Sequence, residues 1–312
     1  MSPSASPLGD QAHEWVHRAC PLCGADNATV FADAEFDAGR LDDFAFASRK
    51  TPDCMHYRLL SCRSCGLLYA SPVPPVDRLV GAYQDAAFDS GDEAAQASRT
   101  YANVLRSHVV TTLPDRIGAL DIGTGDGAFL HHLLAEGFTG VMGIEPSAAP
   151  IHAARRDVRP LIRQGVFEPG SFEGASLRLV TCFQTLEHVY EPLRIVKDVH
   201  RILKEDGAAF FVCHNSHSLS ARVLGMRSPI FDVEHLQLFS ARTARLLLER
   251  AGFADISVLP IVNRYALQYW TRLFPMPGAV KRACLAWLRA TRLGAVTIPF
   301  PAGNLAAVGY KR

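Results

Sequence analysis

Asp121-Ile122-Gly123-Thr124-Gly125-Asp126-Gly127 puts a carboxylate just after the apolar run Ile117–Leu120, then glycines at alternate positions. Without Cβ atoms, Gly123, Gly125 and Gly127 let a ligand lie against the backbone. Apolar residues resume at helical spacing with Phe129, Leu130, Leu133 and Leu134 and stop at Gly137. The stretch therefore reads as a strand, a tight turn and a helix N-terminus. The next strand-like run, Val141 to Ile144, ends in Glu145, twenty residues beyond Gly125. An acidic side chain at that strand tip is placed to accept hydrogen bonds from a ribose diol. With Ala128 the glycines also satisfy G-x-G-x-x-A, so a nicotinamide or flavin dinucleotide stays open on this stretch alone.

A second chemistry lies in the cysteines. Of eight, four form the pairs Cys20-Pro21-Leu22-Cys23 and Cys62-Arg63-Ser64-Cys65, each followed by glycine. A C-x-x-C-G knuckle presents two thiolates to one ion, and two knuckles complete a tetrahedral four-cysteine zinc site with no open position, which makes the zinc structural. Cys54, Cys182, Cys213 and Cys284 are isolated, and the middle two sit in apolar strand-like runs as small hydrophobes.

The elements that position these groups can be read along the chain. Residues 1–14 are expected to be a disordered leader and 15–75 a zinc-binding module ended by Ser71-Pro72-Val73-Pro74-Pro75. Residues 76–116 read as a helical cover holding Tyr83 and Tyr101. From 117 to 312, strands and helices alternate. That pattern predicts an α/β fold with a doubly wound, seven-stranded, mostly parallel sheet. Expected are a helix Ala148–Asp157 capped by Ser147, strands at 160–164 and 177–183, a helix 192–203 and a strand 207–213. A helix capped by Ser240 stops at Gly252, and strands follow at 253–261 and 304–310. Between the last two lies an insertion, 263–303, with Tyr265, Tyr269 and Trp270 and then a helix with Val280, Cys284, Trp287 and Leu288 on one face. It reads as a lid over a pocket, with core packing or a dimer interface as the other uses of that face.

Three further stretches carry a resemblance. They are Gln184-Thr185-Leu186-Glu187-His188-Val189-Tyr190-Glu191-Pro192, Arg201 to Gly207, and Phe231 to Ser240 before Ala251-Gly252-Phe253. With Asp121 to Gly127 and Glu145, this series resembles the class I S-adenosylmethionine-dependent methyltransferases over roughly residues 117–260. The N-terminal C-P-x-C-G…C-x-x-C-G module resembles the leader of some bacterial methyltransferases, including secondary-metabolite enzymes. That resemblance implies the class I methyltransferase fold and S-adenosylmethionine as methyl donor. It implies that Asp121, Gly123, Thr124 and Gly125 hold the methionyl end, that Glu145 holds the ribose, that Phe167 borders the adenine and that Gln184 lines the site near the sulfonium. His188 and His235 become the candidate catalytic bases. Some relatives, including ubiquinone-pathway O-methyltransferases, hold a divalent metal with E-x-x-E-H. Here Gln184 replaces the first glutamate, and a neutral amide is a poorer ligand for a hard cation.

Composition bounds the rest. The 312 residues carry 32 Lys and Arg against 31 Asp and Glu, a net charge of +1 that supports no nucleic-acid or membrane partner overall and leaves local patches open. Neither a signal peptide nor a membrane span is legible, so a cytoplasmic monomer or homodimer is expected. The expected partner is a small-molecule acceptor, a natural-product or sugar-like metabolite, methylated on O, N or C. Competing readings are a zinc-module RNA methyltransferase and an NAD(P)-dependent oxidoreductase.

Overall fold

The computed structural model describes residues 15–41, 44–47, 55–88 and 91–312. The leader 1–14 and Cys54 lie outside the described residues. The chain opens with β1 (Ala28–Ala32), β2 (Leu59–Cys62) and β3 (Leu68–Ala70), then α1 (Val76–Gln84) and α2 (Gly91–His108). There follow β4 (Ile117–Ile122), α3 (Ala128–Ala135), β5 (Thr139–Glu145), α4 (Ala148–Ala153), β6 (Ile162–Gln164) and β7 (Leu177–Phe183). Next come α5 (Pro192–Ile202), β8 (Leu203–His214), α6 (Leu219–Leu224), β9 (Gln237–Leu238) and α7 (Ala241–Ala251). The chain closes with β10 (Ala254–Ala266), α8 (Leu267–Leu273), α9 (Gly278–Ala290) and β11 (Thr297–Tyr310).

The expected seven-stranded sheet is present, in the order β10-β11-β8-β7-β4-β5-β6. β8, β7, β4, β5 and β6 run parallel, and β11 inserts antiparallel between β8 and β10. Side chains alternate across a strand, and the two cores follow that alternation. Leu120, Ile122, Val180, Cys182 and Phe211 meet α5 and α7 on one face. Ala119, Leu179, Phe210 and Val212 meet α2 and α3 on the other. Asp121 and Thr181 share the second parity, so their polar side chains face one another between β4 and β7. Chain order reverses at β4, whose neighbours are β5 and β7. Open α/β sheets bind ligands at the strand C-termini beside such a reversal.

Several local expectations hold closely. Ser240 and Thr243 form a reciprocal capping box on α7, and Gly252 ends that helix at φ 97°. Others change. α4 stops at Ala153 rather than Asp157, because Ala154 turns extended and Arg159 takes the carbonyls of His152 and Ala154 that further turns would have used. The insertion keeps its expected helix as α9, adds a second helix, α8, and is framed by strand. β10 and β11 stay paired past the sheet, with Asn263 opposite Phe300 and Ala266 opposite Thr297, and α8 and α9 ride on the hairpin tip. On α9, Cys284, Leu285 and Leu288 turn inward, while Val280 and Trp287, expected on the same face as Cys284, are exposed.

β1, β2 and β3 form a second sheet that gains its fourth strand, β9, from far along the chain. The junction is fixed by Gln237, which is fully buried. Its amide donates to the carbonyls of Leu186 and Val189 at 2.6 and 2.8 Å and accepts from the Arg18 guanidinium at 3.0 Å. The same guanidinium donates to the Tyr190 carbonyl at 3.0 Å. A buried polar group that loses its partner costs about 1–3 kcal/mol. Gln237→Leu would strand two carbonyls and part of Arg18. Chemical denaturation should report a loss of roughly 2–4 kcal/mol for that variant, and wild-type stability in it would remove the clamp.

Candidate active site

The turn after β4 is held by β5, since the N–H groups of Gly123 and Thr124 both donate to the Ile144 carbonyl, at 2.9 and 3.0 Å. Two of its glycines serve different ends. At Gly123 (φ 72°) a Cβ would meet the Thr185 hydroxyl at 2.2 Å, so packing forbids a side chain. At Gly125 (φ 58°) a Cβ would meet nothing within 4 Å. Gly125 lines a cavity of about 380 Å³, and its bare backbone is a surface on which a ligand can rest.

The sequence-predicted cofactor residues converge on this cavity: Asp121, Gly123, Thr124, Gly125, Glu145, Phe167 and Gln184 all line it. The buried Asp121 carboxylate accepts from the Thr181 hydroxyl at 2.6 Å. Burial pushes this carboxyl up to about 6, against the Thr181 bond. Glu145 accepts from the Gly125 N–H at 2.8 Å and from the Ser147 N–H at 3.0 Å. Burial raises it to about 7 while those two bonds pull it down. Each of its oxygens keeps a second lone pair for a hydroxyl donor. Phe167 stacks on Phe172, 5.8 Å between centroids, and supplies a flat apolar wall. Gln184 sits at φ 49°, a left-handed conformation uncommon for a side-chain-bearing residue, fixed by its N–H bond to the Val212 carbonyl at 2.7 Å.

A second cavity of about 190 Å³ shares Gln184, His188 and Glu234 with the first. Its floor carries His214, His235 and Asn304, and its wall is built by Tyr265, Tyr269, Trp270 and Phe300 from the long hairpin. The imidazoles are oriented by backbone and amide oxygens. The Glu234 carbonyl accepts from Tyr83 Oη at 3.0 Å and from His188 Nδ1 at 3.1 Å. With its proton on that carbonyl, Tyr83 Oη also accepts from His188 Nδ1 at 2.9 Å. His235 Nδ1 donates to the Ile230 carbonyl at 2.8 Å, and His214 Nδ1 to Asn304 Oδ1 at 2.9 Å. All three rings thus donate from Nδ1, and in the neutral ring this puts the lone pair on Nε2, the form a proton acceptor needs. Burial and then the Glu234 carboxylate raise the Tyr83 phenol well above its ordinary value, so it stays neutral.

Sequence reasoning missed Glu234. Its carboxylate lies 3.9 Å from both His188 Nδ1 and His235 Nε2, and the three residues bring potential ligand atoms within 4.8 Å of one another. The adjacent pair Glu234-His235 was a visible signal. Beneath this cluster Glu187 is wholly buried, and its Oε1 accepts from the His214 N–H at 2.5 Å. Burial raises its carboxyl to about 7.

The four expected zinc ligands also meet. Cys20 and Cys65 have their sulfurs 3.5 Å apart, as do Cys23 and Cys62, and all four lie within 4.8 Å of one another. A tetrahedral site with Zn–S bonds of about 2.3 Å has edges of about 3.8 Å, so this donor set fits zinc. Gly24 and Gly66, at φ 72° and 83°, complete the knuckles by donating to the carbonyls of Cys20 and Cys62. The 380 Å³ cavity likewise fits S-adenosylmethionine. It offers an open glycine backbone, two buried carboxylates short of cations and a stacked aromatic wall.

A family model described as "Methyltransferase domain" matches residues 94–258, more than half of the chain. The ubiquinone biosynthesis O-methyltransferase of Pseudomonas aeruginosa (strain LESB58) is 33% identical over 102 residues, 29% of this chain and 41% of that protein. The protein of the same description from Vibrio campbellii is 32% identical over 126 residues, 38% of this chain and 54% of that one. The chain thus spans about half or less of the length of these curated relatives. A solved SAM-dependent methyltransferase of Thermotoga maritima superposes with a TM-score of 0.47 at 19% identity, covering 70% of this chain and 91% of that one.

The raised carboxyls make a prediction of definite sign. A carboxyl whose folded value lies above its unfolded one binds its proton more tightly when folded, so stability rises as pH falls through that window. Glu145 and Glu187, raised to about 7, place the window between the ordinary carboxylate range and neutrality. The ligand-free protein should melt at higher temperature at about pH 6 than at about pH 8, with Glu145→Gln and Glu187→Gln each flattening the rise. A wild-type melting temperature lower at about pH 6 than at about pH 8 would refute the assignment.

Proposed function

The chain belongs to the methyltransferase-domain family whose model spans residues 94–258, and from that premise we propose that it methylates a small-molecule acceptor with S-adenosylmethionine. What supports this reading most is the sharing of Gln184, His188 and Glu234 between the glycine-floored cavity and the aromatic-walled one. A donor lying on Gly125 and an acceptor lying against Tyr265 and Tyr269 would meet there, beside imidazoles anchored through Nδ1.

S-adenosylmethionine supplies an electrophilic methyl whose bond to sulfur breaks as one to the acceptor forms, with no oxidant or reductant required. Asp121 attracts the cationic methionyl end, and Glu145 accepts from the ribose hydroxyls. A dinucleotide would bring its pyrophosphate to the glycine turn beside Asp121, which disfavours the oxidoreductase reading. His188 or His235 takes the one acceptor proton at Nε2, and Glu234 between them stabilises the imidazolium that forms. Tyr83 and the Ile230 carbonyl hold the two rings in place. Positioning in two adjoining cavities contributes the remainder by orientation. The four cysteines hold a structural zinc with no open position, so it takes no part in the transfer.

Calorimetry with S-adenosylhomocysteine is the test. The wild type should bind, Glu145→Ala should bind about 10- to 100-fold more weakly, and NAD(P) should not bind. Lack of S-adenosylhomocysteine binding by the wild type would end this reading. In a label-transfer screen against small-molecule extracts, His188→Gln or His235→Gln should lose about 10²–10⁴ in rate with S-adenosylhomocysteine affinity unchanged. Metal analysis should find about one zinc per chain, lost in Cys20→Ser/Cys62→Ser. A stably folded, metal-free wild type would exclude the zinc.

A further inference from the structure

The chain's charge is nearly balanced only in sum. Residues 256–312 contain eight Lys and Arg and no Asp or Glu, leaving 24 basic against 31 acidic residues in 1–255. Six of the eight lie on the β10–β11 hairpin and the helices at its tip, while Lys311 and Arg312 follow β11 at its far end, where Arg312 pairs with Asp206 and Asp255. Of these cations, Arg272 is paired with Glu93 at 3.3 Å, and the Lys281 ammonium donates to the Arg272 carbonyl. Arg282, Arg289 and Arg292 point outward and take part in no salt bridge among the described residues.

The outward face of α9 beside Arg282 and Arg289, which share one edge of the helix, is apolar. Alanines at 279, 283, 286 and 290 are exposed, flanked by Val280 at 50% and Trp287 at 58% exposure. Phe274, just before α9, and Phe300, on β11, are also exposed, and both line the aromatic-walled cavity. The apolar face is therefore continuous with the lip of that cavity.

We propose that this face docks on an anionic lipid surface, with the α9 alanines, Val280 and Trp287 entering the headgroup boundary and Arg282, Arg289 and Arg292 meeting lipid phosphates. A short helix with a basic edge, an apolar face and a tryptophan at the opposite border has the make-up of an interfacial helix. Charge complementarity selects the occupant. A second copy would bring like-charged arginines together across a desolvated interface. A nucleic acid is met by a largely polar surface, whereas alanine, valine and tryptophan fill this one. The expectation of no membrane partner rested on the net charge, and net charge conceals a segregated patch. Among the described residues no helix is long and apolar enough to cross a membrane, so the contact is peripheral. Docking of this kind is independent of the methyl-transfer reading.

The test is flotation of the full-length, metal-loaded protein with phosphatidylcholine vesicles, with and without about a third phosphatidylglycerol. The wild type should float with the anionic vesicles alone, and release should be complete between about 0.1 and about 0.5 M salt. Each surface arginine contributes about fivefold, so Arg282→Glu/Arg289→Glu should weaken binding by about 25-fold or more. Trp287→Ala should weaken it several-fold, and both variants should keep the wild-type melting temperature and S-adenosylhomocysteine affinity. Equal binding to both vesicle types, binding to neither, or undiminished binding of the charge-reversed variant would overturn the proposal. So would a dimer that Trp287→Asp dissociates, or retention of duplex RNA, without vesicle flotation.

Discussion

Every polar atom of the buried Gln237 side chain is committed, and three segments remote in sequence meet on it. Arg18 comes from the cysteine-framed region, Leu186 and Val189 from the loop after β7, and Gln237 itself from the short strand that completes the smaller sheet. The loop so gripped carries His188, and the segment leading into Gln237 carries Glu234 and His235. An amide suits this post because it donates twice and accepts in one plane, as two carbonyls and a guanidinium require. The cysteine knuckles therefore do more than close a local fold. Cys20, Cys62 and Cys65 pack into the same apolar cluster as Val196, Leu247 and Leu248, so any ion that clamps them stiffens the ground on which the imidazoles stand.

The electrostatics above the sheet run in one direction. Asp121, Glu145 and Glu187 are buried near the C-terminal ends of β4, β5 and β7, and burial raises all three. Without a cation the protein bears the cost of keeping them ionised near neutrality. A ligand with an ammonium and a sulfonium offsets that cost on binding, and an anionic one adds to it. Stability and ligand affinity therefore place opposite demands on the same carboxyls, as functional sites often do. The glycine turn reinforces the preference, since its open backbone gives close approach while the carboxylates decide the sign of charge that approaches.

What was legible in the sequence is what local chemistry controls. The turn after β4, the Ser240 cap, the Gly252 stop and the two knuckles are each dictated by residues a few positions apart, and they formed where the pattern put them. The miscounted features depend on distant partners. α4 ended early because Arg159, beyond its end, took its carbonyls. In the 263–303 insertion the helix expected through Val280 and Leu288 is present as α9, but the strand pairing that carries it was not read. No local signal said that Asn263 would find Phe300, and strand pairing across such an interval is set by the sheet it extends. Glu234 escaped because its role depends on His188, forty-six residues away, and a lone Glu-His pair is ordinary in sequence. Trp287 and Cys284 were placed on one helix face, but the buried stripe of α9 runs through Cys284, Leu285 and Leu288, which leaves the tryptophan outside.

Charge segregation has a consequence for orientation. With the excess acid in residues 1–255 and six of the eight cations of the acid-free tail on the hairpin and its tip helices, positive charge gathers at the hairpin tip. Near an anionic surface a molecule so charged turns before it touches, because the attraction acts within a Debye length of about 10 Å while apolar contact acts only at touching distance. The turned molecule presents α9 first. Phe274 and Phe300 then lie at the surface, and the cavity they line opens toward it. The same field holds the acidic remainder, with its buried carboxylates and histidine cluster, on the aqueous side. An acceptor entering past those two phenylalanines would travel inward from an apolar rim to a polar floor at His188 and His235, the order in which an amphiphile with a reactive polar head would need to meet them.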